Sequence, residues 1–568
     1  TANRLAFYFL RMPEKDLQKE ITDLKAEVKR LKKSRQYGLV WEHKPEDIVL
    51  ESNENIPILK EVKGKKVFID DSVPNNFLIE GDNYHALAVL NYTHRRQFDV
   101  VYIDPPYNTG ARDWKYNNNF VDINDEYRHS KWLSLMANRL VLAKNLLKED
   151  GVLVIAIDDN EVHHLRVLIE QLMPSYDVTS ITLVHNPRGN ITNNFARTHE
   201  YAIFIIPKGL SAISRTKKEN SVLRKMRRWG HNSTRTARPT MFYPVYVKDG
   251  KICRIGEAPA KDFHPKSKNI KLANGEIEVW PIDQDGVERR WNFGLDRVND
   301  ELERMVAVEA KGEFDIFLTQ EDTTTKTVWT ETDLEAGRHG ATLVKMITGK
   351  DFPFPKSIHT VRKCLELIIG NRPNAKVLDY FAGSGTTGHA ILEINKIDGG
   401  NRQFVLCTNN ESNICEEITY ERVKRVIKGY KNGKDEKVEG IPANSAYYKT
   451  DLINVGLLKK ISDDAKVKIT YQAGEMIAVR EDTLNEVEKN EWWQIFEGRG
   501  RMTAIYFKED KAKLVELIAK LDKKGLPVAL YIFSWGKNEY KGEYSSANIR
   551  VEDIPEPILE VYKELNRL

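Results

Sequence analysis

Phe98-Asp-Val-Val-Tyr-Ile103, running directly into Asp104-Pro-Pro-Tyr107, is the stretch that sets the fold. Its apolar run has the length of a strand covered on both faces. The two prolines stop it, because proline offers no N–H to a ladder and fixes φ. On the N-terminal side, Phe77-Leu-Ile-Glu-Gly-Asp82 reads as a buried strand ending in a turn, followed by a helix from Tyr84 to Leu90. On the C-terminal side, Trp132 to Leu147 has helical periodicity, Asp150-Gly151 is a turn, Val152 to Ile157 a strand and Val162 to Leu172 a helix. Strands alternating with helices predict an α/β fold built on a doubly wound parallel sheet.

Between about Arg188 and Ile347 the regularity fades into turn residues, aromatics and basic residues. Alternation then returns: Lys376-Val-Leu-Asp-Tyr380 is a strand, Thr386 to Ile394 a helix, Phe404 to Thr408 a strand and Glu416 to Tyr430 a helix. The simplest organisation is one α/β domain, residues 46–187 and 348–435, interrupted by an insertion at 188–347. Residues 436–568 carry strand-like segments (Thr503 to Phe507, Val528 to Phe533) and a helix (Lys511 to Leu521), which predict a small α+β C-terminal domain. Residues 1–45 are expected to form an N-terminal helical or coiled-coil segment. In it Leu17, Ile21, Leu24, Val28 and Leu31 make a short a/d stripe, suited to packing on its own protein or to a coiled coil between subunits.

A chain of 568 residues exceeds one hydrophobic core. No apolar run approaches the roughly 18 to 20 residues that span a bilayer, and the short apolar patch in Thr1 to Met12 lacks a small-residue cleavage site, so neither a membrane anchor nor a signal peptide is expected. The cysteines Cys253, Cys364, Cys407 and Cys415 lie far apart without a CxxC pair, which argues against disulfides and cysteine-held zinc and for a reducing cytoplasm. His163 and His164 are neighbours on a helix and face different ways, so no metal site is expected there.

Asp104-Pro105-Pro106-Tyr107 stands at the carboxyl end of a strand, where open parallel sheets bind ligands. The prolines leave carbonyl acceptors there, and the Asp104 carboxylate adds another. An exocyclic amino group on a base needs such acceptors. Its nitrogen lone pair is delocalised into the ring, and hydrogen bonds from both N–H groups to Asp104 and the Pro105 carbonyl favour a tetrahedral nitrogen with a localised pair. Tyr107 offers a stacking face, worth about 1–3 kcal/mol per base, comparable to the cost of flipping one. In Val377-Leu-Asp-Tyr-Phe-Ala-Gly-Ser-Gly-Thr-Thr387 a strand feeds a Gly-rich turn and then a helix; Gly383 and Gly385 allow close backbone approach, and the helix start favours a carboxylate. No Gly-Lys-Ser/Thr follows, which excludes a P-loop. S-adenosyl-L-methionine, with a carboxylate and an amino group but no phosphate, suits the turn.

Together, Asp104-Pro-Pro-Tyr107 and Phe381-Ala-Gly-Ser-Gly385 resemble the amino-methyltransferases of DNA. The catalytic motif precedes the cofactor motif across a long insertion, an order similar to the β group, whose insertion is the target recognition domain. The resemblance implies a Rossmann-like methyltransferase sheet, S-adenosyl-L-methionine as cofactor, and Asp104, Pro105, Pro106 and Tyr107 as the catalytic set. It implies that Phe381, Gly383 and Gly385 hold the cofactor, helped by Asp82 in Gly81-Asp82-Asn83 and by Lys356 in Phe354-Pro-Lys-Ser357. Glu411 stands where an acid binds the ribose hydroxyls, although Asn409 and Asn410 separate it from the strand end. Asp379 either holds the ligand or satisfies backbone N–H groups. Thr408-Asn-Asn-Glu411, Ile414-Cys-Glu-Glu417 and Tyr447-Tyr-Lys-Thr450 resemble modification (Mod) subunits of Type III restriction–modification systems. That implies duplex DNA as substrate, a homodimer, and a restriction (Res) subunit as partner. Adenine N6 is the expected target, since Asp leads the catalytic motif; the alternatives are cytosine N4 methylation and a non-catalytic DNA-binding scaffold.

The insertion concentrates positive charge. Arg224, Lys225, Arg227, Arg228, Arg235 and Arg238 are the candidate DNA-binding residues, with Arg215, Lys217 and Lys218 just upstream and only Glu219 opposing them. Lys and Arg neutralise phosphates, and Arg and Asn read base edges.

Overall fold

The computed structural model describes Lys25 and residues 41–566, apart from residues 192, 537, 538, 541 and 545. The a/d stripe of Leu17 to Leu31 therefore lies outside the described residues. Among them, ten strands form the main sheet. In chain order they are β1 (Asn55–Glu61), β2 (Asn75–Glu80), β3 (Phe98–Ile103), β4 (Leu147–Ile157), β5 (Tyr176–Val184), β6 (His199–Pro207), β7 (Val328–Trp329), β8 (Lys376–Asp379), β9 (Gln403–Thr408) and β10 (Asn444–Asn454). Their order across the sheet is β1-β10-β2-β9-β8-β3-β4-β6-β5-β7.

From β10 through β4 all neighbours run parallel. Every residue of β3 is buried, as suits a strand covered on both faces, and its one charged residue, Asp99, pairs with Lys148 at 2.7 Å and Arg372 at 3.2 Å. Antiparallel pairs flank this block, β1 on β10 at one side and β6 on β4 and β5 at the other. The helices α1 (Asn83–Thr93), α2 (Arg128–Lys144), α3 (Val162–Leu172), α4 (Ile358–Ile369), α5 (Thr386–Asp398) and α6 (Glu421–Lys428) alternate with the strands.

The chain divides into two compact units, residues 1–212 with 327–568, and residues 213–326. The expected insertion began at 188, yet His199–Pro207 pairs with β4 and β5 inside the main sheet. Its signal was Tyr201-Ala-Ile-Phe-Ile-Ile206, an apolar run as continuous as that of β3. The smaller unit holds its own core of Met226, Tyr243, Val245, Trp291 and Ile316. The C-terminal residues build a five-stranded sheet from Asn485–Lys489 to Ile549–Ile554, mixed in direction, with helices Lys511–Asp522 and Glu556–Leu565. This segment shares a continuous core with the main sheet, and the Tyr562 hydroxyl donates to the Pro57 carbonyl at 2.6 Å. Among the described residues, no helix is long and apolar enough to cross a membrane. The four cysteines are unpaired, Cys253 exposed and the others buried.

Candidate active site

Strands β3 and β8 are far apart in sequence but adjacent and parallel, with Val377 opposite Val100 and Leu378 opposite Val101. Parallel neighbours end at the same edge, so Asp104-Pro-Pro-Tyr107 and Phe381-Ala-Gly-Ser-Gly385 emerge side by side. The two motifs are within electrostatic reach: the Asp104 charge contributes to raising the Asp379 carboxyl.

Around Asp104 three elements converge. Lys356, just before α4, places its ammonium 3.3 Å from Asp104 Oδ1 and 2.9 Å from Glu200 Oε2. The Tyr107 hydroxyl donates to the same Glu200 oxygen at 3.1 Å, and the Lys356 ammonium lies 4.6 Å from the Tyr107 ring centre. Lys356 and Glu200 are nearly closed off, at 10% and 6% side-chain exposure, whereas Asp104 keeps 26%. Burial raises the Asp104 carboxyl above its usual range, and Lys356 opposes that rise. Burial would raise Glu200 too, but Lys356 beside it holds it below its ordinary value. Lys356 itself is desolvated, which favours its neutral form, yet the two carboxylates outweigh this and keep it protonated. One buried cation thus serves two carboxylates, one of which faces the crevice.

The loop after β3 is anchored from behind. Trp132 on α2 donates its indole N–H to the Pro106 carbonyl at 2.7 Å, so that carbonyl is already engaged. Asn108 is fully buried in a left-handed conformation (φ 56°), accepts from the Trp114 indole at 3.2 Å and donates to Glu161.

The Gly-rich turn is braced just as closely. Asp379 accepts from the Phe381 N–H at 3.0 Å and from the Thr387 hydroxyl at 2.6 Å, so both its oxygens hold the turn together. Gly383 and Gly385 adopt φ of 48° and 76°. A Cβ at Gly385 would meet Thr419 Cγ2 at 3.2 Å, and the Thr419 hydroxyl donates to the Gly383 carbonyl at 2.6 Å. Buried Arg422 donates to the Ser384 carbonyl and to Thr386 Oγ1 at 3.2 and 2.8 Å. Phe381 remains half-buried. A turn of small residues at a helix start, bordered by the Phe381 ring, fits the amino-acid end of S-adenosyl-L-methionine.

Asp82 caps α1, accepting from the Tyr84 N–H at 2.7 Å, with Arg139 3.3 Å away. Its neighbour Asn83 donates to the Tyr380 carbonyl at 3.0 Å and so ties the segment to the cofactor turn. Glu411 is exposed in a short 3-10 turn beyond β9 and pairs with Lys115 at 3.3 Å. Glu200, Trp132, Asn108 and Glu161 went unnoticed in the sequence. Glu200 carried one signal, a lone carboxylate at the head of an apolar run.

Burial pushes Asp379 up to about 7. In the unfolded chain an aspartate titrates near 4, so the native state binds its proton more tightly. The stabilisation linked to that proton is complete below pH about 4 and is lost as pH rises through about 7. Thermal melts of the wild type and Asp379→Asn are therefore expected to shift against the wild type as pH rises across this window. A Tm difference independent of pH would contradict the assignment.

In the smaller unit the candidate DNA-binding residues divide into two groups. Arg227 and Arg235 are corrected to internal structural roles. Arg227 is 4% exposed, donates to the Ile282 carbonyl and lies 3.3 Å from Asp315. Arg235 bonds Glu288, the Phe263 carbonyl and the Ala260 carbonyl at 3.0, 2.6 and 2.8 Å, with its guanidinium over the Phe242 ring. Their cationic heads hold the domain's own loops. Arg224, Lys225, Arg228 and Arg238 are exposed. Arg224 and Arg228, with Arg215, Arg304, Asn292 and Phe293, line a cavity of about 430 Å³.

A family model described as DNA methylase (N6_N4_Mtase) matches residues 98–428, more than half of the chain. The Type II methyltransferase M.KpnI of Klebsiella pneumoniae is 28% identical over 379 residues, covering 63% of this chain and 86% of that protein. The Type III restriction-modification enzyme EcoPI Mod subunit of Escherichia phage P1 is 26% identical over 423 residues, 66% of this chain and 64% of the subunit. The StyLTI Mod subunit of Salmonella typhimurium is 26% identical over 397 residues, 62% of this chain and 57% of the subunit. The matches thus span less than two thirds of both Mod subunits.

Proposed function

The chain belongs to the DNA methylase family whose model spans residues 98–428, and from that premise we propose that it methylates adenine N6 in duplex DNA, as the modification subunit of a Type III restriction–modification system. The reading rests on the parallel pairing of β3 with β8, which brings the strand end carrying Asp104-Pro-Pro-Tyr107 next to the one feeding the Gly-rich turn. Bound S-adenosyl-L-methionine supplies an electron-poor methyl group on a sulfonium. Asp104 and the Pro105 carbonyl would accept hydrogen bonds from the two amino N–H groups of an extruded adenine, which would localise the nitrogen lone pair. Tyr107 stacks on the base, with its ring held by the bond to Glu200. Lys356 keeps an adjacent positive charge that favours Asp104 in its accepting, ionised form. Phe381, Gly383 and Gly385 hold the cofactor, and Asp379 keeps their turn in shape.

Mass analysis of nucleosides from DNA treated with the protein and labelled cofactor tests this. N6-methyladenine is the expected product; N4-methylcytosine would transfer the same acceptor chemistry to the other base, and neither product, with DNA still bound, would make the chain a scaffold. Mod-like assembly predicts a cytoplasmic homodimer that recruits a restriction subunit. A monomeric mass by light scattering across concentrations would remove that part.

The exposed arginines of the smaller unit are assigned to DNA phosphates and base edges. Each phosphate contact contributes roughly 0.9 to the slope of log affinity against log salt. Arg224→Ala/Arg228→Ala is expected to flatten that slope by roughly two in a fluorescence-anisotropy titration. Arg227→Ala is expected instead to lower the melting temperature, since it removes a buried guanidinium that holds the Ile282 carbonyl and lies beside Asp315, which keeps Lys268 at 3.3 Å. An unchanged slope in the double variant would place DNA elsewhere.

A further inference from the structure

Behind the loop that carries Asp104 and Tyr107, metal-ligating side chains converge from two helix starts. His129 lies in the first turn of α2, Glu161 directly precedes α3, and His164 follows three residues later. Their donor atoms all lie within 4.8 Å of one another. His129 Nδ1 is 2.6 Å from Glu161 Oε1, and His164 Nδ1 is 2.8 Å from Glu161 Oε2. Glu161 is fully buried, whereas His129 and His164 are 37% and 24% exposed. We propose that His129, Glu161 and His164 bind a first-row divalent transition cation of the Zn²⁺ type, with water completing its coordination.

The donor chemistry selects the class of ion. Two imidazoles and one carboxylate suit borderline cations, whereas Ca²⁺ and Mg²⁺ favour all-oxygen sites. The Glu161–His164 spacing of three places both donors on one side of the helix start, the arrangement used by Glu-x-x-His metal sites, and α2 supplies the third donor. Tetrahedral donors about 2.0–2.1 Å from a metal lie about 3.3 Å apart, so the two carboxylate–imidazole contacts, at 2.6 and 2.8 Å, must widen by about 0.5–0.7 Å, and donor spacings, which reach up to 4.8 Å, must narrow toward the same value. The carboxylate is fixed by Asn108, and the two imidazoles border solvent and can make that adjustment. One contact opposes loading. Arg128 Nε donates to His129 Nε2 at 3.2 Å and fixes the ring's proton on Nδ1. A cation on Nδ1 requires that proton to move to Nε2 and Arg128 to swing away. The adjacent His163, set aside with His164 as a pair in the sequence, is not needed; the third donor is a histidine more than thirty positions earlier in the chain.

The bond from Asn108 to Glu161 connects this site to the loop bearing Asp104 and Tyr107, so a bound cation would stiffen that loop from behind. The proposal does not rest on methyl transfer, and its test is binding. The full-length protein, stripped with chelator, is titrated calorimetrically with Zn²⁺ and with Mg²⁺. One equivalent of Zn²⁺ is expected to bind, with affinity falling at least about tenfold in His129→Ala and in His164→Ala and rising in Arg128→Ala. Co²⁺ should show the visible bands of a nitrogen–oxygen site without a thiolate charge-transfer band, which separates this site from exposed Cys253. Glu161→Gln risks the fold, so the histidine variants, checked by circular dichroism, carry the test. Absence of stoichiometric Zn²⁺ binding, equal binding by Mg²⁺, or binding unchanged in the double histidine variant would overturn the proposal and leave a hydrogen-bonded brace.

Discussion

Asp104→Ala is expected to reduce methyl transfer by about three orders of magnitude, the scale on which a single preorganised polar group aimed at developing charge contributes, while cofactor binding persists. The substitution removes the carboxylate that accepts from the amino group and favours a localised lone pair. The surroundings should hold, because Lys356 keeps its 2.9 Å partner in Glu200 and Trp132 keeps the loop through the Pro106 carbonyl. The turn from Phe381 to Gly385 is braced by Asp379, Thr419 and Arg422, none of which needs Asp104. Methyl transfer in single turnover and cofactor affinity by calorimetry separate the two effects. Retained turnover would remove Asp104 from the chemistry, and lost cofactor binding would make it a structural residue.

Lys356→Met is expected to produce the second-largest effect, through charge alone. Lys356 lowers the proton affinity of both Asp104 and Glu200, against the burial that raises it. Without the cation, both carboxyls titrate at higher pH. The acid limb of the variant's pH–rate profile should therefore be displaced upward, with the loss of rate greatest at the acid end and smaller as pH rises. Stability should fall as well, by about 3 kcal/mol, the usual cost of stranding one member of a buried ion pair. Adding Glu200→Gln should return part of that stability, since the two losses share one interaction. A pH profile identical to the wild type would show that Lys356 does not control Asp104.

These expectations hang on Glu200, and its history in the chain shows how far a linear reading reaches. The strand that carries it is apolar enough to be legible, but turn and basic residues around it drew it into the insertion. Its role is invisible without the fold, because Glu200, Lys356, Asp104 and Tyr107 meet only when β6 and the start of α4 converge on the end of β3. The arginines of the smaller unit teach the converse. Arg224, Arg227, Arg228 and Arg235 have the same chemistry in sequence; burial against Asp315 and Glu288 sets two of them apart.

Local order in the chain established the strand that ends in Asp104-Pro-Pro-Tyr107, the strand that feeds the Gly-rich turn, and the alternating helices that require a parallel sheet. Those features depend on residue types a few positions apart, so proline, glycine and apolar runs report them directly. Which carboxylate meets which cation, which histidines share Glu161, and which arginines remain exposed depend on pairings between distant segments. Such pairings follow from strand order and burial, for which one-dimensional periodicity carries no signal.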